Sequence, residues 1–183
     1  MRFDEKKIYS TLRERSEDDN GQSFIDSTQI VYDFDEITKE VADTYRNKKP
    51  AASCDALYVK DESHIYLIEF KNARKSRIGN KFFLQKAYDS ALTLGFAFYQ
   101  NLSFEELRER LYLVIVYNDD NVEEKEQESE HFDSLKEKIG CLAGPKRRIL
   151  FGLDMYEGSL YKKVVTVEKN IFMEQVYKDI FNG

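Results

Sequence analysis

The sequence predicts an α/β fold with a mixed central sheet flanked by helices. Stretches with helical periodicity alternate along the chain with short apolar runs rich in β-branched and aromatic residues. The composition, 42% hydrophobic and 34% charged over 183 residues, is typical of a globular protein with a core. Because no repeat, low-complexity linker or Pro/Gly/Ser-rich seam divides the chain, we expect one domain over residues 1–183.

The first part of the chain predicts two helices. The earlier one lies within residues 4–15 and is followed by a polar break. The later one lies within residues 33–49, where Asp33 or Asp35 can cap the N-terminus, and it ends near Pro50. Apolar side chains recur every four residues along this second helix, at Ile37, Val41 and Tyr45.

Two strands joined by a tight turn come next, at residues 54–59 and 64–72. The second strand is apolar on both faces up to Ile68, as expected inside a sheet that is covered on both sides. If the two strands pair antiparallel about this turn, partners are positions whose numbers sum to about 124. Asp55 then lies opposite Glu69.

The following segment, residues 80–100, has the periodicity of an amphipathic helix. Its expected core stripe is Phe83, Ala87, Ala91 and Leu94, and its adjacent polar face carries Lys81, Gln85 and Tyr88. Ser103 and Glu106 form a capping-box pattern that opens a short helix. The continuous β-branched and aromatic run at residues 111–118 predicts a buried strand.

Three more elements are expected towards the C-terminus. They are a helix at residues 130–140, a strand pair within residues 147–168 and a helix at residues 171–181. Glu157 and Gly158 would supply the turn of the strand pair, and Asn170 would cap the last helix. The core of the domain is thus expected at roughly residues 35–118, with the C-terminal strand pair and helix at 147–183.

Charge is distributed unevenly along the chain. The net charge of −6 argues against a protein that coats nucleic acid by bulk electrostatics. Between Arg46 and Lys86, however, ten basic residues stand against four acidic ones, whereas residues 119–133 carry eight acids and one lysine. The basic block is either a solvated surface or a phosphate-binding region, and the acidic segment is expected to be an exposed loop and helix start.

The sequence favours a cytoplasmic protein with no membrane partner. Its first ten residues lack the apolar core of a signal peptide, and no window approaches the ~18 apolar residues that a membrane helix needs. Cys54 and Cys141 fit no metal-ligand spacing, so we expect free thiols in a reducing compartment. His64 and His131 are expected at the surface.

An acidic-x-Lys triplet ends the second strand of the hairpin. Because side chains alternate along a strand, Glu69 and Lys71 share one face. Opposed carboxylates such as Asp55 and Glu69 destabilise a sheet, and a divalent cation would explain them, since two carboxylates and a backbone carbonyl are the oxygen ligands that Mg²⁺ or Mn²⁺ prefers. Lys71 beside such an ion could orient or deprotonate a water and stabilise charge on a phosphate.

This pattern resembles the PD-(D/E)XK nuclease superfamily, whose restriction-endonuclease-like core carries an Asp on one strand and an acidic-x-Lys triplet on the next. The matching residues are Asp55 and then Glu69, Phe70 and Lys71, and the resemblance covers roughly residues 35–118. It implies metal-dependent hydrolysis of phosphodiester bonds, with Asp55 and Glu69 as ligands of Mg²⁺ or Mn²⁺ and Lys71 as the catalytic lysine.

The resemblance implies two further site residues. Many members add an acidic residue on the helix before the hairpin, which Glu40 or Glu36 would match; these two share a helix face, and we favour Glu40. Some branches carry Gln-x-x-x-Tyr on the following helix, where this chain has Gln85 and Tyr88, one residue closer together. Gln85 can still face the site, one helical turn after Lys81.

The basic loop after the triplet suits phosphate contacts through Arg74, Lys75, Arg77 and Lys81. We therefore expect a nucleic-acid partner, DNA rather than RNA, and leave a homodimer open. The alternative function is a non-catalytic module of the same fold that binds nucleic acid or a protein partner. A third interpretation makes Glu69 and Lys71 a structural ion pair.

Overall fold

A computed structural model describes residues 8–18, 21–46, 49–73, 75–118 and 148–182. They form an α/β structure around a six-stranded sheet whose spatial order follows the chain. The strands are β1 Tyr9–Thr11, β2 Ile30–Asp33, β3 Ala56–Asp61, β4 His64–Lys71, β5 Leu111–Tyr117 and β6 Lys163–Glu168. Neighbours from β1 to β4 pair antiparallel and those from β4 to β6 pair parallel, so the sheet is mixed, as predicted.

Helices flank this sheet. The helices are α1 Leu12–Arg15, α2 Phe34–Thr44, α3 Asn80–Ala97 and α4 Phe104–Arg108. A C-terminal helix follows β6 without a break, as the contiguous pieces Lys169–Ile171, Phe172–Val176 and Tyr177–Phe181, of which the middle piece has π geometry. Short 3₁₀ helices lie at Lys75–Arg77 and Leu153–Tyr156.

The hairpin of β3 and β4 has the predicted register. Ala56 pairs with Ile68, Leu57 with Leu67, and the ladder shifts only beyond Val59, next to the turn. Extending this register by one residue brings Asp55 beside Glu69. The turn position predicted that Asp55 lies opposite Glu69, and the register of the hairpin confirms this.

Two hydrophobic layers cover the two faces of the sheet. Leu57 and Leu67 pack on the side of α2, α3 and α4, whereas Ile68 packs on the side of α1 and the C-terminal helix. Strand β4 is therefore buried on both faces, as its continuous apolar run predicts. Side-chain alternation places Asp55 and Glu69 on the face of Leu57 and Leu67, which is the face that α3 covers.

The main helices follow their sequence signals. Asp33 is the N-cap of α2, because its carboxylate accepts a hydrogen bond from the backbone N–H of Glu36 at 3.1 Å. Ser103 and Glu106 form the expected capping box of α4. Buried positions in α3 include the whole predicted stripe, Phe83, Ala87, Ala91 and Leu94. In the stripe of α2, Tyr45 differs from the prediction, since it lies past the end of the helix and is half exposed.

The N-terminal prediction was wrong within the described residues. In place of one continuous helix, Tyr9–Thr11 forms an edge strand paired with β2, and the helical residues are Ile8 and the single turn α1. The reason is a capping box at Thr11, whose hydroxyl accepts from the Glu14 backbone N–H and whose own N–H donates to the Glu14 carboxylate. A helix starting at this cap leaves the preceding residues free to pair with the sheet.

Of the predicted C-terminal strand pair, the second strand is confirmed as β6, but the first was wrong, since residues 148–162 contain no strand. Phe151 and Gly152 have positive φ angles of 62° and 71°, which no strand accommodates. The backbone N–H of Leu150 donates to the side chain of Thr166 on β6 at 3.0 Å, where a ladder would use the backbone carbonyl. The last helix begins at Lys169, so Asn170 is not its cap and bonds to the Glu168 carboxylate instead.

Several predicted features lie outside the described residues, namely the acidic segment, the helix at residues 130–140, Cys141 and His131. Cys54 is a free, buried thiol, as expected. In the described ranges, no helix is both long enough and apolar enough to cross a membrane.

Candidate active site

Asp55 is held in place by its backbone neighbours and by β4. The backbone N–H of Cys54, one residue earlier, donates to the Ser90 hydroxyl on α3 at 2.9 Å. The carboxylate of Asp55 itself accepts the backbone N–H of Phe70 at 2.7 Å. These contacts fix the Asp55 carboxylate at the end of the hairpin, next to the side chain of Glu69.

A lysine from α3 joins the two carboxylates. Lys86 Nζ donates to both carboxylate oxygens of Glu69, at 2.7 and 2.8 Å, and to Asp55 Oδ1 at 3.2 Å. The side chain of Glu69 is 2% exposed, and those of Lys86 and Asp55 are 17% and 19% exposed. One partly buried ammonium thus neutralises part of the charge of two carboxylates that would otherwise repel each other.

Burial and mutual repulsion set the protonation of this cluster. Burial, together with the neighbouring Asp55 carboxylate, raises the pKa of Glu69 well above its ordinary value, although Lys86 opposes that change. Burial also raises the pKa of Asp55, to which the charge of Asp35 contributes. Burial by itself lowers the pKa of Lys86, but the Glu69 and Asp55 carboxylates outweigh it and raise that pKa overall. Lys86 is therefore a charged ammonium at neutral pH.

Lys71 lies at the end of β4, on the same cavity as the two carboxylates. Its Nζ is 5.3 Å from the centre of the Phe82 ring, and Lys86 Nζ is 4.9 Å from that centre. The half-exposed Phe82 therefore contacts both ammonium groups. The shared cavity of Glu69 and Lys71 agrees with the alternation of β4.

The cavity has a volume of about 390 Å³, and residues 15–18 line it together with the hairpin and α3. Arg15 is anchored there, because its guanidinium lies 2.6 Å from Asp33, the N-cap of α2. The sequence offered no local signal for this wall, since Arg15 is far from the hairpin in the chain. It reaches the cavity through the pairing of β1 with β2.

Lys86 is the main residue that the sequence analysis missed. It is three residues after Phe83 and next to Ala87, at the border of the buried stripe of α3. The helix α3 covers the sheet face that carries Asp55 and Glu69. A lysine at the border of its buried stripe was therefore the signal that could have identified this residue.

The supporting residues expected from the helices do not meet the carboxylates. Neither Glu40 nor Glu36 lines the cavity, and Glu36 accepts a hydrogen bond from Lys39 at 2.5 Å. Gln85 is exposed and lies within 3.5 Å of Asp89, away from the cavity. On α2, the acidic group that influences Asp55 is Asp35, which accepts a hydrogen bond from Ser53.

The predicted nucleic-acid contacts surround the start of α3. Lys75 and Arg77 belong to the 3₁₀ helix that follows β4, and Lys81 lies in the first turn of α3. Arg77 and Lys81 are exposed, and none of these three residues lines the cavity. Arg74 lies outside the described residues.

The donor set suits a divalent cation in one respect. Two hard oxygen ligands, Asp55 and Glu69, already converge on a single positive charge. No group of three or more His, Cys, Asp or Glu side chains in the described parts of the chain could hold a metal. The remaining ligands of a cation bound here would have to be backbone oxygens, water or substrate.

Comparison with protein-family models, with curated proteins and with solved structures finds no match to this chain. What defines its class is therefore the geometry itself. It is an α/β protein with a six-stranded mixed sheet, and two carboxylates and two lysines lie around one cavity at the end of the central hairpin.

Proposed function

We propose that this protein is a metal-dependent nuclease that hydrolyses phosphodiester bonds of nucleic acid, with a site of the PD-(D/E)XK type. The observation that carries the proposal is the convergence of Asp55 and Glu69 on one cationic group, beside a cavity that Lys71 also lines. Asp55, Glu69 and Lys71 are the three residues that match the motif. Because all three line one cavity, a shared catalytic role is better supported than separate structural roles.

Each side chain has a role in this scheme. Asp55 and Glu69 would hold Mg²⁺ or Mn²⁺, and the bound ion would supply Lewis-acid stabilisation of the phosphoryl oxygens. Lys71 would orient the attacking water through its ammonium, or, as a neutral amine, would accept the proton of that water at Nζ. Its ammonium would also stabilise the charge that grows on the phosphate. The Phe82 ring holds the Lys71 ammonium at the cavity.

The exposed cations beside the site support a polyanionic substrate. Arg77 and Lys81 follow β4 at the end where Lys71 lies. Phosphate contacts of this kind supply affinity without sequence selectivity, so they suit nucleic acid in general, and we propose DNA as the primary substrate.

The test is a cleavage assay with plasmid DNA, single-stranded DNA and RNA. Wild type and Asp55→Asn are compared with Mg²⁺, with Mn²⁺ and with a chelator, and Asp61→Asn at the hairpin turn is the matched control. We expect metal-dependent cleavage by wild type and Asp61→Asn, and loss of cleavage in Asp55→Asn. If the folded wild type cuts none of the substrates, or if Asp55→Asn cuts as well as wild type, the proposal is wrong.

A second candidate function is a module that binds nucleic acid or a protein without cutting. The observation that favours it is that Lys86 already compensates both carboxylates. This function predicts salt-dependent DNA binding by wild type with no cleavage under any metal condition.

A further inference from the structure

We propose that Lys86 competes with the divalent cation for Asp55 and Glu69, so that this lysine sets the metal concentration at which the site becomes occupied. The inference rests on the cation site of the proposed function. It assigns to Lys86 a positioning and regulatory role that the motif itself does not contain.

The oxygens of the two carboxylates are already in use. Lys86 Nζ contacts three of the four carboxylate oxygens of the pair, both from Glu69 and one from Asp55. The fourth, Asp55 Oδ2, accepts the backbone N–H of Phe70. An ammonium has three hydrogens to donate, so these contacts use its whole donor capacity. A cation that binds both carboxylates has to share oxygens that Lys86 now holds.

The charges of the cluster lie in a poorly screened environment. Glu69 is almost fully buried, and Lys86 and Asp55 are each less than one-fifth exposed, so solvent screens their charges weakly. A divalent cation and the Lys86 ammonium on the same oxygens would repel each other strongly in this environment. Lys86 therefore has to leave the carboxylates before they can bind the cation.

The cavity offers space for the displaced lysine. Lys86 Nζ already lies 4.9 Å from the centre of the Phe82 ring, and both side chains line the cavity of about 390 Å³. The four-carbon stem of lysine is flexible enough to move its ammonium along that ring into the cavity. There it would join Lys71, where a substrate phosphate would meet two ammonium groups instead of one.

The test is calorimetric titration of the full chain with MnCl₂, without nucleic acid, for wild type, Lys86→Met and Lys86→Arg. Methionine keeps the length of the side chain and removes its charge, whereas arginine keeps the charge. We expect Lys86→Met to bind Mn²⁺ at least about tenfold more tightly than wild type, and Lys86→Arg to bind no more tightly than wild type. A residue with a purely structural role would leave the affinity unchanged or lower it. An affinity of Lys86→Met equal to or below that of wild type would overturn the inference.

A measurement on the wild type keeps the inference testable if Lys86→Met does not fold. The ε-¹³C signal of Lys86, assigned by its absence in Lys86→Arg, should move on addition of Mg²⁺. An unchanged signal at a Mg²⁺ concentration that saturates the site would overturn the inference.

The outcomes also separate this inference from the proposed nuclease. Metal-dependent cleavage combined with equal Mn²⁺ affinity of wild type and Lys86→Met overturns only the competition. Tighter binding by Lys86→Met without any cleavage supports the competition and overturns the nuclease. Absence of Mn²⁺ binding in all three proteins overturns both.

Discussion

Lys86 Nζ donates to both carboxylate oxygens of Glu69, at 2.7 and 2.8 Å, across 17 residues of sequence. This contact ties α3 to the end of β4, and Asp55 joins it from the neighbouring strand segment. A single lysine therefore bridges the two carboxylates of the candidate site.

Removal of the Lys86 charge should destabilise the protein. Lys86→Met leaves Glu69 and Asp55 as uncompensated, largely buried carboxylates, and we expect the free energy of unfolding to fall by about 3 kcal/mol. Urea denaturation at neutral pH measures this loss. Lys81→Met, an exposed position on the same helix, is the matched control and should change the free energy by less than about 0.5 kcal/mol. Equal effects of the two substitutions would contradict a role for Lys86 in holding α3 to the sheet.

Glu69 should make stability fall as the pH rises. Its pKa in the folded protein is raised well above 4.5, so the folded state binds more protons than the unfolded state above that pH. The free energy of unfolding should therefore decrease from pH 4.5 upward, until the raised pKa is passed. Glu69→Gln should make this decrease smaller and leave the part that the raised pKa of Asp55 contributes.

The control for this pH dependence is Glu106. Hydrogen bonds from Ser103, first of all from its backbone N–H, lower the pKa of Glu106, so its contribution has the opposite sign and is lost as the pH falls. Urea denaturation of wild type, Glu69→Gln and Glu106→Gln across this range gives the three slopes. A slope in Glu69→Gln identical to wild type would refute the assignment to Glu69.

Lys71→Ala should lose activity with little loss of stability. The side chain contacts the half-exposed Phe82 ring and makes no ion pair within 4.0 Å to a described carboxylate, so we expect unfolding to change by less than about 0.5 kcal/mol. If Lys71 stabilises phosphate charge, kcat should fall at least about 100-fold on the nucleic acid that wild type cleaves. The control is Lys163→Ala, which should keep wild-type kcat. Lys163 lies at the start of β6, at the end of the parallel strands opposite to Lys71. Full activity in Lys71→Ala would remove this lysine from the mechanism.

The exposed cations beside the site should control the salt dependence of binding. We expect Arg77→Ala/Lys81→Ala to bind duplex DNA more weakly at low salt and to lower the slope of log K against log salt by about 1.8, because two phosphate contacts are lost. Fluorescence anisotropy at several salt concentrations measures both quantities. Lys163→Ala again serves as the control, and an unchanged slope in the double variant would exclude these two residues as phosphate contacts.

Asp33 should contribute to stability in two separable ways. Its Oδ1 caps α2 and its Oδ2 pairs with Arg15, so Asp33→Ala should lower the free energy of unfolding by about 2 kcal/mol. Asp33→Asn keeps an oxygen that can cap the helix but removes the charge that pairs with Arg15. The free energy of unfolding of Asp33→Asn should therefore fall by only about half as much as that of Asp33→Ala. Urea denaturation compares the two variants, and equal losses would show that the cap contributes little.

Local interactions made much of the fold predictable. The tight turn sets the register of β3 and β4, and therefore the opposition of Asp55 and Glu69. The N-cap at Asp33 and the capping box at Ser103 depend on residues three positions apart, so they too can be predicted from short stretches of sequence. The same is true of the buried stripe of α3.

Local patterns failed where tertiary contacts decided the structure. Residues 9–11 carry a helical pattern, yet they pair with β2 because an unpaired sheet edge accepts another strand. The segment before β6 has an apolar, strand-like composition, yet the left-handed conformations at Phe151 and Gly152 prevent a ladder there.

The sequence by itself determined the α/β class, the β3–β4 hairpin and the placement of Asp55, Glu69 and Lys71 at its end, because strand alternation and turn length act over a few residues. Only the tertiary structure decided which charges meet the two carboxylates. Lys86 reaches them from the packed helix α3, and Arg15 reaches the same cavity from α1, where it pairs with Asp33. Both placements depend on how whole elements pack against the sheet. Pairing over such distances follows from the shape of the core, which no short stretch of sequence encodes.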